Sequence, residues 1–489
     1  MENDVLSVLV VSPEAAPLTQ TGGLAEVTGS LPLALKNKGL KVAVAMPAYR
    51  MVMEKYRDWE VVAKDLPVRL GGSHISAEVL SGELAPGIPL YLIRRDEFYD
   101  RSELYAGGQG EYFDNPERFI FFSRAIPIFC QKIGFIPDVI QANDWQTGLV
   151  MALLDMGALP RTAGVFTVHN QGNLGLVPPE RIHNIGLPDR YYTMEGLEYY
   201  GQMSLLKAGI IYSQIVTTVS PTYAKDVQTP EFGSGLDGVM RAVSHRLHGL
   251  LNGVDYQVWN PRTDKHLAAH YSPEDLSGKT ICKQELLMKM GLERSLVDKP
   301  LLGMVDRLTA QKGCSLVIEA AEDIFKLDAG LVVLGKGEAS FENAFARLQE
   351  RYPGRMGLKV GSDQGLTHEI MAGCDIILMP SLYEPCGLAQ MLGLKYGTVP
   401  VVRATGGLND TVVDPRHGHD PGTGFKFDTF QPLALLRAVT RAVETFRSPE
   451  RWRAMMLAGM NQDFSWDRSA QEYLNLFKRA VEVRGSRSV

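Results

Sequence analysis

The first fifty residues alternate between short apolar runs and a longer segment with helical spacing. Residues 5–12, VLSVLVVS, predict a strand, and residues 41–47, KVAVAMP, predict a second strand. Between them, residues 24–39 place apolar side chains three and four positions apart, which indicates a helix. The order is a β-α-β unit, and its helix is preceded by the loop PEAAPLTQTGG at residues 13–23.

Apolar runs of the same kind continue in two series separated by LLNGVDYQVWNP at residues 250–261. The pattern predicts a first series of strands with helical stretches between several of them, as a parallel sheet requires. These strands are IPLYLIR (88–94), PDVIQAN (137–143), AGVFTVHN (163–170) and QIVTTVS (214–220). The second series predicts strands at 300–307, 330–337, 355–361, 374–381 and 399–405, and helices at 314–326, 339–352, 366–373 and 387–397.

This pattern predicts an α/β protein with two doubly wound domains joined near residues 250–265. The length of 489 residues supports two domains, because a single hydrophobic core stops growing well below that size. Ligands of such sheets bind beyond the carboxyl ends of the strands, so the loops that follow the strands are where functional residues are expected.

Composition narrows the functional classes. The chain is 45% hydrophobic and 22% charged, with a net charge of −6, which favours a soluble globular protein and provides no overall field that would attract nucleic acid or a membrane surface. The acidic N-terminus reads as a strand rather than a signal peptide, and the five scattered cysteines favour a reducing cytoplasm. No metal site is expected, although the HGHD run at 417–420 contains ligand-type side chains.

The letters TGGL occur at residues 21–24 and again at residues 405–408. Each copy is a glycine loop that opens a predicted helix, where free N–H groups can receive an anion or a sugar hydroxyl. A single loop of this kind is usually only a turn that needs the conformational freedom of glycine. Neither copy is a Walker sequence or a dinucleotide fingerprint, so neighbouring residues must supply the chemistry.

A series of motifs, in order, resembles the bacterial glycogen synthases and plant starch synthases. The motifs are TGGLAEV (21–27), NDWQTGL (143–149), FTVHN (166–170), LLKAGIIYS (205–213), VSPTYAKDVQTPEFGSGLDGV (219–239), LNGVDYQVWNP (251–261), GMVDRLTAQKG (303–313), PSLYEPCGLAQ (380–390) and LKYGTVPVVRATGGLNDTV (394–412). The resemblance implies the type-B glycosyltransferase fold, with two Rossmann-like domains facing across a cleft. It places an acceptor-side domain at residues 1–255, a nucleotide-sugar domain at 256–460, and a C-terminal helix at 461–489 that crosses back to the first domain.

The implied reaction is a retaining transfer of glucose from ADP-glucose to the non-reducing end of an α-1,4-glucan, without metal or cofactor. By resemblance, Arg307 and Lys312 bind the donor phosphates, Glu384 faces the transferred glucose and His169 lies beside it. The resemblance also implies a set of substrate-binding residues: Gln20, Gly22, Gly23, Asp144, Asn252, Cys386, Gly387, Leu388, Thr405, Gly406 and Gly407. Fixed cations suit this reaction because the departing diphosphate develops negative charge.

Four positions depart from the pattern. Gln20 replaces the lysine usual before TGGL, Leu382 replaces an arginine, and HNQGNLG at 169–175 lacks the tyrosine of the family's HNLAYQG. Leu392 stands eight positions after Glu384, where related transferases often carry a second glutamate. Two alternatives therefore stay open: a transferase with another nucleotide sugar or acceptor, and a glucan-binding protein that has lost turnover.

Overall fold

The computed structural model describes residues 5–56, 58–107, 110–415 and 421–486. The chain divides into two compact units. Unit 1 comprises Met1–Gly253 with Trp466–Val489, and unit 2 comprises Val254–Ser465.

Unit 1 is built around one large sheet. The strands of unit 1 are β1 (Ser7–Val11), β2 (Lys41–Pro47), β3 (Glu60–Leu70), β4 (Ser73–Ala85), β5 (Ile88–Arg94), β6 (Ala106–Gly107), β7 (Gly110–Glu111), β8 (Val139–Asn143), β9 (Ala163–Val168), β10 (Leu176–Val177), β11 (Glu198–Tyr199), β12 (Gln202–Ser204), β13 (Ile215–Thr218) and β14 (Leu247–Gly249). Of these, β6 with β7, and β10 with β11 and β12, form two small separate sheets. Its first helices are α1 (Gly23–Asn37), α2 (Arg50–Lys55), α3 (Asp96–Tyr99), α4 (Asn115–Ile133), α5 (Leu149–Asp155), α6 (Leu205–Tyr212), α7 (Pro221–Asp226) and α8 (Asp237–Ala242). Short 3-10 helices lie at Trp145–Thr147, Pro179–Asn184, Asp189–Tyr191 and Ser244–Arg246.

The large sheet has the strand order β14-β13-β9-β8-β1-β2-β5-β4-β3. From β14 to β5 the neighbouring strands are parallel, which confirms the predicted β-α-β pattern. The β3–β4 pair is antiparallel and was not predicted. In the second half of β3, Leu66 and Val68 are buried between exposed neighbours, a pattern typical of an edge strand with one face in water, and Gly71 and Gly72 form the tight turn between the two strands.

Unit 2 contains a six-stranded sheet in which every pairing is parallel. Its strands are β15 (Leu301–Val305), β16 (Gly330–Gly335), β17 (Met356–Val360), β18 (Ile376–Met379), β19 (Val399–Arg403) and β20 (Phe425–Phe427). Its helices are α9 (Ser277–Lys289), α10 (Cys314–Lys326), α11 (Ala339–Arg351), α12 (Gln364–Gly373), α13 (Ala389–Lys395), α14 (Gly406–Thr411), α15 (Pro432–Phe446) and α16 (Pro449–Met460), with 3-10 helices at Arg294–Asp298 and Ala310–Lys312.

The nine-stranded sheet of unit 1 and the six-stranded sheet of unit 2 each contain a point at which the chain reverses its direction of winding. In unit 1 the chain runs from β1 to β2 and β5 on one side, and then returns to β8 on the other side of β1. In unit 2 it runs from β15 to β16 and β17, and then returns to β18. A crevice forms at the carboxyl ends of strands where such a reversal occurs, and ligands of doubly wound folds bind there.

The last helix, α17 (Trp466–Ser486), belongs to unit 1. Near its start, Ser469 Oγ donates to Leu251 O at 2.8 Å, and Lys38 Nζ lies 2.7 Å from Asp467 Oδ1. The rings of Tyr473 and Phe477 are fully buried along its inner face. Burial of these aromatic side chains stabilises the packing of the helix on unit 1, because each removes a large apolar area from water.

Among the described residues, no helix is long and apolar enough to cross a membrane.

Candidate active site

The predicted site residues of unit 1 all follow carboxyl ends of parallel strands in one sheet. Their common edge is therefore the edge at which ligands of such sheets bind. Gln20, Gly22 and Gly23 lie after β1, Asp144 after β8, His169 after β9, and Asn252 after β14.

The first TGGL loop is held by a buried glutamate that the sequence analysis did not identify. Glu14 is 3% exposed, and its two carboxylate oxygens accept hydrogen bonds from the backbone N–H and the hydroxyl of Thr21, both at 2.6 Å. Tyr105 donates its hydroxyl to the same carboxylate at 2.6 Å. Glu14 follows β1 directly, so its position at a strand end was the signal available in the sequence.

The tip of this loop is open. Gln20, Gly22 and Gly23 are exposed, and a Cβ atom added at either glycine would meet nothing within 4 Å. The side-chain amide of Gln20 donates to Glu26 Oε1 at 3.0 Å. Burial raises the pKa of Glu26, while the bond from Gln20 opposes that shift. The loop thus presents free backbone and a neutral amide where the family's pattern has a cation.

Asp144 joins the ends of β8 and β9. It has a φ of +56°, unusual for a residue with a side chain, and its Oδ1 accepts the backbone N–H of His169 at 2.7 Å and of Asn170 at 3.4 Å. Burial raises the pKa of Asp144 to about 7. Its carboxyl group therefore fixes the loop that carries His169.

His169 is buried and neutral. Its Nε2 lies 2.9 Å from Asn143 Oδ1. The side-chain amide NH₂ of Asn143 donates to Val11 O at 3.1 Å, which fixes the orientation of the amide and leaves its oxygen facing the histidine. An amide oxygen only accepts, so Nε2 carries the proton and Nδ1 is an acceptor. Burial lowers the pKa of His169 to about 3. Asn252 is also buried, and its Oδ1 has no hydrogen-bond partner within the described part of the chain. Both side chains can hydrogen-bond a sugar hydroxyl.

The predicted site residues of unit 2 also follow strand ends. Arg307 and Lys312 come after β15, Glu384, Cys386, Gly387 and Leu388 after β18, and Thr405, Gly406 and Gly407 after β19. The ends of β15 and β18 flank the point where the chain reverses in this sheet, so the structure brings the cations and the glutamate together.

Lys312 is the centre of a buried charge cluster. Its Nζ lies 2.7 Å from Glu384 Oε2 and 2.9 Å from Asp306 Oδ2. Ser381 Oγ donates to the same oxygen of Glu384 at 3.1 Å. Within the described residues, Glu384 Oε1 accepts no side-chain hydrogen bond, and an ammonium has three N–H groups, so one donor and one acceptor remain for a ligand.

Electrostatics keep this lysine charged. Burial alone would lower the pKa of Lys312, but the negative charges of Glu384 and Asp306 outweigh it and raise the pKa above the usual value. Burial raises the pKa of Asp306. The cluster places one permanent cation, fixed by two carboxylates, where a doubly wound sheet binds its ligand.

Arg307 differs from Lys312 because it is exposed and unpaired. Its backbone N–H donates to Asp306 Oδ1 at 2.8 Å and its backbone O accepts from Thr309 N at 2.9 Å, but no described residue pairs with its guanidinium. The backbone N–H groups of Gly387 and Leu388 likewise donate to no acceptor in the described ranges. These groups provide one exposed cation and two backbone donors at the same edge of the sheet as the lysine.

The second TGGL loop packs directly beneath this cluster. Gly407 N donates to Glu384 O at 3.1 Å. A Cβ atom at Gly406 would lie 2.0 Å from Glu384 O, and one at Gly407 would lie 2.1 Å from Cys386 O. Only glycine permits this approach of two backbones, so the loop positions the segment that carries Glu384.

Leu382, at the position where the pattern has arginine, is 37% exposed. A guanidinium from the neighbouring strand lies beside it, because Arg403 donates to Leu382 O and, at 3.1 Å, to Asp428 O. The HGHD run at 417–420 lies outside the described residues. Among the described residues, no group of acidic, histidine or cysteine side chains is placed to hold a metal ion, and the five cysteines are buried and form no disulfide.

Comparisons with known proteins agree with this geometry. The family described as starch synthase catalytic domain matches residues 7–242, and the family described as glycosyl transferases group 1 matches residues 293–455. The chain is 45% identical over 98% of its length to all of a glycogen synthase from Desulfatibacillum aliphaticivorans. It is 40% identical over 98% of its length to all of a glycogen synthase from Thermotoga maritima.

Solved structures show the same fold. The catalytic domain of starch synthase IV from Arabidopsis thaliana, bound to ADP and acarbose, superposes with a TM-score of 0.89 at 32% identity, covering 98% of this chain and 100% of that one. A sucrose-phosphate synthase from Thermosynechococcus elongatus, at 16% identity and a TM-score of 0.60, shares the fold alone, over 97% of this chain and 98% of that one. The chain therefore belongs to the glycogen and starch synthase family of glucosyltransferases, with the type-B glycosyltransferase fold.

Proposed function

We propose that this enzyme transfers glucose from ADP-glucose to the non-reducing end of an α-1,4-glucan with retention of the anomeric configuration. The observation that carries the proposal is the Lys312 cluster, in which a buried cation is fixed between Asp306 and Glu384 at the chain-reversal point of unit 2. The ADP bound to the starch synthase IV structure supports the choice of nucleotide.

The leaving group is a diphosphate, and its negative charge increases as the glycosidic bond breaks. Lys312 has one N–H left for a phosphate oxygen, and the unpaired guanidinium of Arg307 can bind another in a bidentate manner. The N–H groups of Gly387 and Leu388 add donors that need no reorganisation. Preorganised donors of this kind stabilise the transition state because they are already oriented where charge develops.

The sugar is held by hydrogen bonds. Glu384 Oε1 accepts a hydroxyl of the transferred glucose and stabilises the positive charge that develops on its ring. His169, neutral because burial lowers its pKa to about 3, interacts with a sugar hydroxyl through Nδ1 and not as a cation. Asp144 and Asn252 act on the hydroxyl groups of the sugars bound by unit 1.

Retention follows from attack on the same face of the sugar from which the diphosphate leaves. Position 392 carries a leucine that is 8% exposed, so it supplies no carboxylate for a double displacement. The departing phosphate oxygen accepts the proton of the incoming 4-hydroxyl, the C1–phosphate bond breaks, and the new glycosidic bond forms on the same face. No further base is required for this step.

The test is nucleotide release by the purified protein with ADP-glucose or UDP-glucose, with and without a short maltooligosaccharide, in EDTA. We expect ADP release that depends on the acceptor, with chain elongation seen by mass spectrometry. Faster turnover of UDP-glucose than of ADP-glucose would instead favour the alternative of another nucleotide-sugar donor. Gln20 and Leu382, which stand where the family's pattern has a lysine and an arginine, are the departures that motivate this alternative. Absence of turnover with every donor would favour a glucan-binding protein.

We also propose that the enzyme acts in the cytoplasm, where a reducing environment keeps the cysteines from forming disulfides.

A further inference from the structure

Unit 2 carries a pocket at the amino-terminal ends of its central strands. Pro300 precedes β15, Asp375 precedes β18, and both line a cavity of about 630 Å³ with walls from α9, α15 and α16. The Lys312 cluster follows the carboxyl ends of these same strands, so the pocket and the cluster lie at opposite edges of one sheet. The volume of this amino-edge pocket is in the range of small-molecule sites.

The floor of the amino-edge pocket is a fixed charge layer. Lys283 Nζ donates to Asp375 Oδ2 at 2.7 Å and to Lys299 O at 2.6 Å. Lys279 Nζ uses its three N–H groups within the protein, on Ala372 O at 2.8 Å, Cys374 O at 3.0 Å and Thr398 Oγ1 at 2.7 Å. Lys279 is satisfied and Lys283 keeps one N–H, but both are buried, so they set the shape of the floor, and the exposed cations lie at the rim.

The rim of the pocket carries two arginines that make few contacts with the rest of the protein. Arg447 and Arg453 are exposed; Arg447 donates one long hydrogen bond to Leu327 O at 3.3 Å, and Arg453 donates none to any described residue. Neither guanidinium forms an ion pair with a carboxylate in the described ranges, although Asp275, whose pKa is lowered first by hydrogen bonds from Ser277, is also acted on by the charge of Arg453. Five cationic and three acidic side chains line the whole pocket, which leaves an excess of two positive charges. Guanidinium pairs of this kind favour phosphate because each can bind two of its oxygens.

An aromatic wall lies next to these arginines in the sequence and in space. Phe446 is half-buried and Trp452 is 6% exposed, and their rings meet edge to face with centroids 5.3 Å apart. Phe446 directly precedes Arg447, and Trp452 directly precedes Arg453. A ring can pack on the exposed part of Phe446 while an attached anion reaches the arginines.

We propose that the amino-edge pocket binds a small phosphate monoester that carries a ring, namely a sugar phosphate or a nucleoside monophosphate. The phosphate binds Arg447 and Arg453, and the ring packs against Phe446. The exposed carboxylate of Asp298, which also lines the pocket and pairs with no cation in the described ranges, accepts hydroxyl groups of the sugar. This site is separate from the one proposed for catalysis and does not depend on it.

Calorimetric titration of the full chain tests this site, with AMP, glucose 6-phosphate and inorganic phosphate as probes. At least one organic phosphate should bind ten times more tightly than inorganic phosphate. If that ligand is AMP the site favours a nucleotide, and if it is glucose 6-phosphate the site favours a sugar phosphate. The double variant Arg447→Ala, Arg453→Ala should weaken this binding at least tenfold, and since both side chains are exposed, it should keep the melting temperature of the parent.

Two control variants separate this site from the catalytic one. Arg437→Ala removes an exposed arginine of α15, the helix that Arg447 follows, outside the pocket, and Arg307→Ala removes a cation of the proposed donor site. Both should change the affinity for the organic phosphate by less than twofold. The inference is overturned if neither organic phosphate binds more tightly than inorganic phosphate, if the double variant binds as the parent does, or if Arg307→Ala abolishes binding.

Discussion

The two TGGL loops have the same letters, but glycine has a different physical role in each. At Gly22 and Gly23 an added Cβ would meet open space, and both residues are exposed. At Gly406 and Gly407, which are buried, it would overlap the backbone of Glu384 and Cys386 at 2.0 and 2.1 Å. The first loop leaves room for a ligand, whereas the second uses the missing side chain to support the segment that carries Glu384.

The charges near the two loops also differ. Beside the first loop, Gln20 donates a neutral amide to Glu26. Beside the second, Lys312 is fixed by two carboxylates and Arg307 is unpaired. A repeated motif therefore does not establish a repeated function, and of the two loops only the second lies beside cations, those of Lys312 and Arg307 in unit 2, among the described residues.

The largest expected effect concerns Lys312. Replacing Lys312 with alanine removes the fixed cation and leaves buried Glu384 and half-buried Asp306 without their shared partner, so kcat/KM for ADP-glucose should fall by two or more orders of magnitude, about the loss seen when a transition-state charge loses its partner. Steady-state nucleotide release measures this. Lys326→Ala, which changes a lysine paired only at the surface, is the control and should leave kcat/KM within twofold. Full activity of Lys312→Ala would contradict the assignment.

A matched pair of alanine substitutions tests the contrast between the loops. Gly407→Ala forces a Cβ against Cys386 O and should displace the Glu384 segment, lowering kcat by about tenfold or more and destabilising the fold by about 1–3 kcal/mol. Gly22→Ala has open space and an extended φ of −166°, which any residue can adopt, so its melting temperature should match that of the parent. Calorimetry and rate measurements compare the two. Equal destabilisation by both changes would remove the distinction.

Gln20→Lys tests whether the first loop only lacks its usual cation. The new ammonium would lie near Glu26 and would add a charge-assisted bond to the donor, so kcat/KM with ADP-glucose should rise by up to about tenfold. Gln20→Met introduces a side chain of similar size without a charge or a hydrogen-bond donor, so its kcat/KM with ADP-glucose should not exceed that of the parent. A loss of activity of Gln20→Lys with every donor would show that the loop is adapted to a neutral residue.

The smallest effect is the pH dependence contributed by His169. Burial lowers its pKa to about 3 from the 6.5 of an exposed histidine, so between these values the unfolded chain binds more protons than the folded one. Stability from this group is complete above pH 6.5 and decreases as the pH falls toward 3, by up to about 1.4 kcal/mol per pH unit. His169→Asn should therefore show a shallower loss of unfolding free energy between pH 6.5 and 4.5 in denaturant titrations. His183→Asn, which removes an exposed histidine, should keep the slope of the parent, and a parent-like slope in His169→Asn would contradict the burial argument.

The strands and most helices were predictable because each is a local apolar pattern. The helix predicted at 314–326 matches α10 at both ends, and the strands at 41–47 and 88–94 match β2 and β5. The antiparallel β3–β4 pair was missed because its alternating apolar and polar residues were not distinguished from loop sequence between β2 and β5. The roles assigned to the two domains, acceptor side and donor side, stay predictions.

The candidate site was predictable in its position but not in its contacts. Strand ends placed Arg307, Lys312 and Glu384 at one edge of a sheet. However, the pairing of Lys312 with Glu384 spans 72 positions, and no sequence spacing encodes it. Glu14 and Asp306 were missed for a similar reason, because each acts by holding another residue and shows no motif of its own.

We propose that the cations of unit 2 bind the diphosphate of the donor, and this is the central claim. Calorimetric titration of ADP into the full chain, in EDTA and without acceptor, tests it directly when the parent is compared with Arg307→Ala and Gly22→Ala. We expect Arg307→Ala, which removes an exposed and unpaired side chain without disturbing the fold, to weaken ADP binding at least tenfold, and Gly22→Ala to change it by less than twofold. An Arg307→Ala protein that binds ADP as tightly as the parent would contradict the claim.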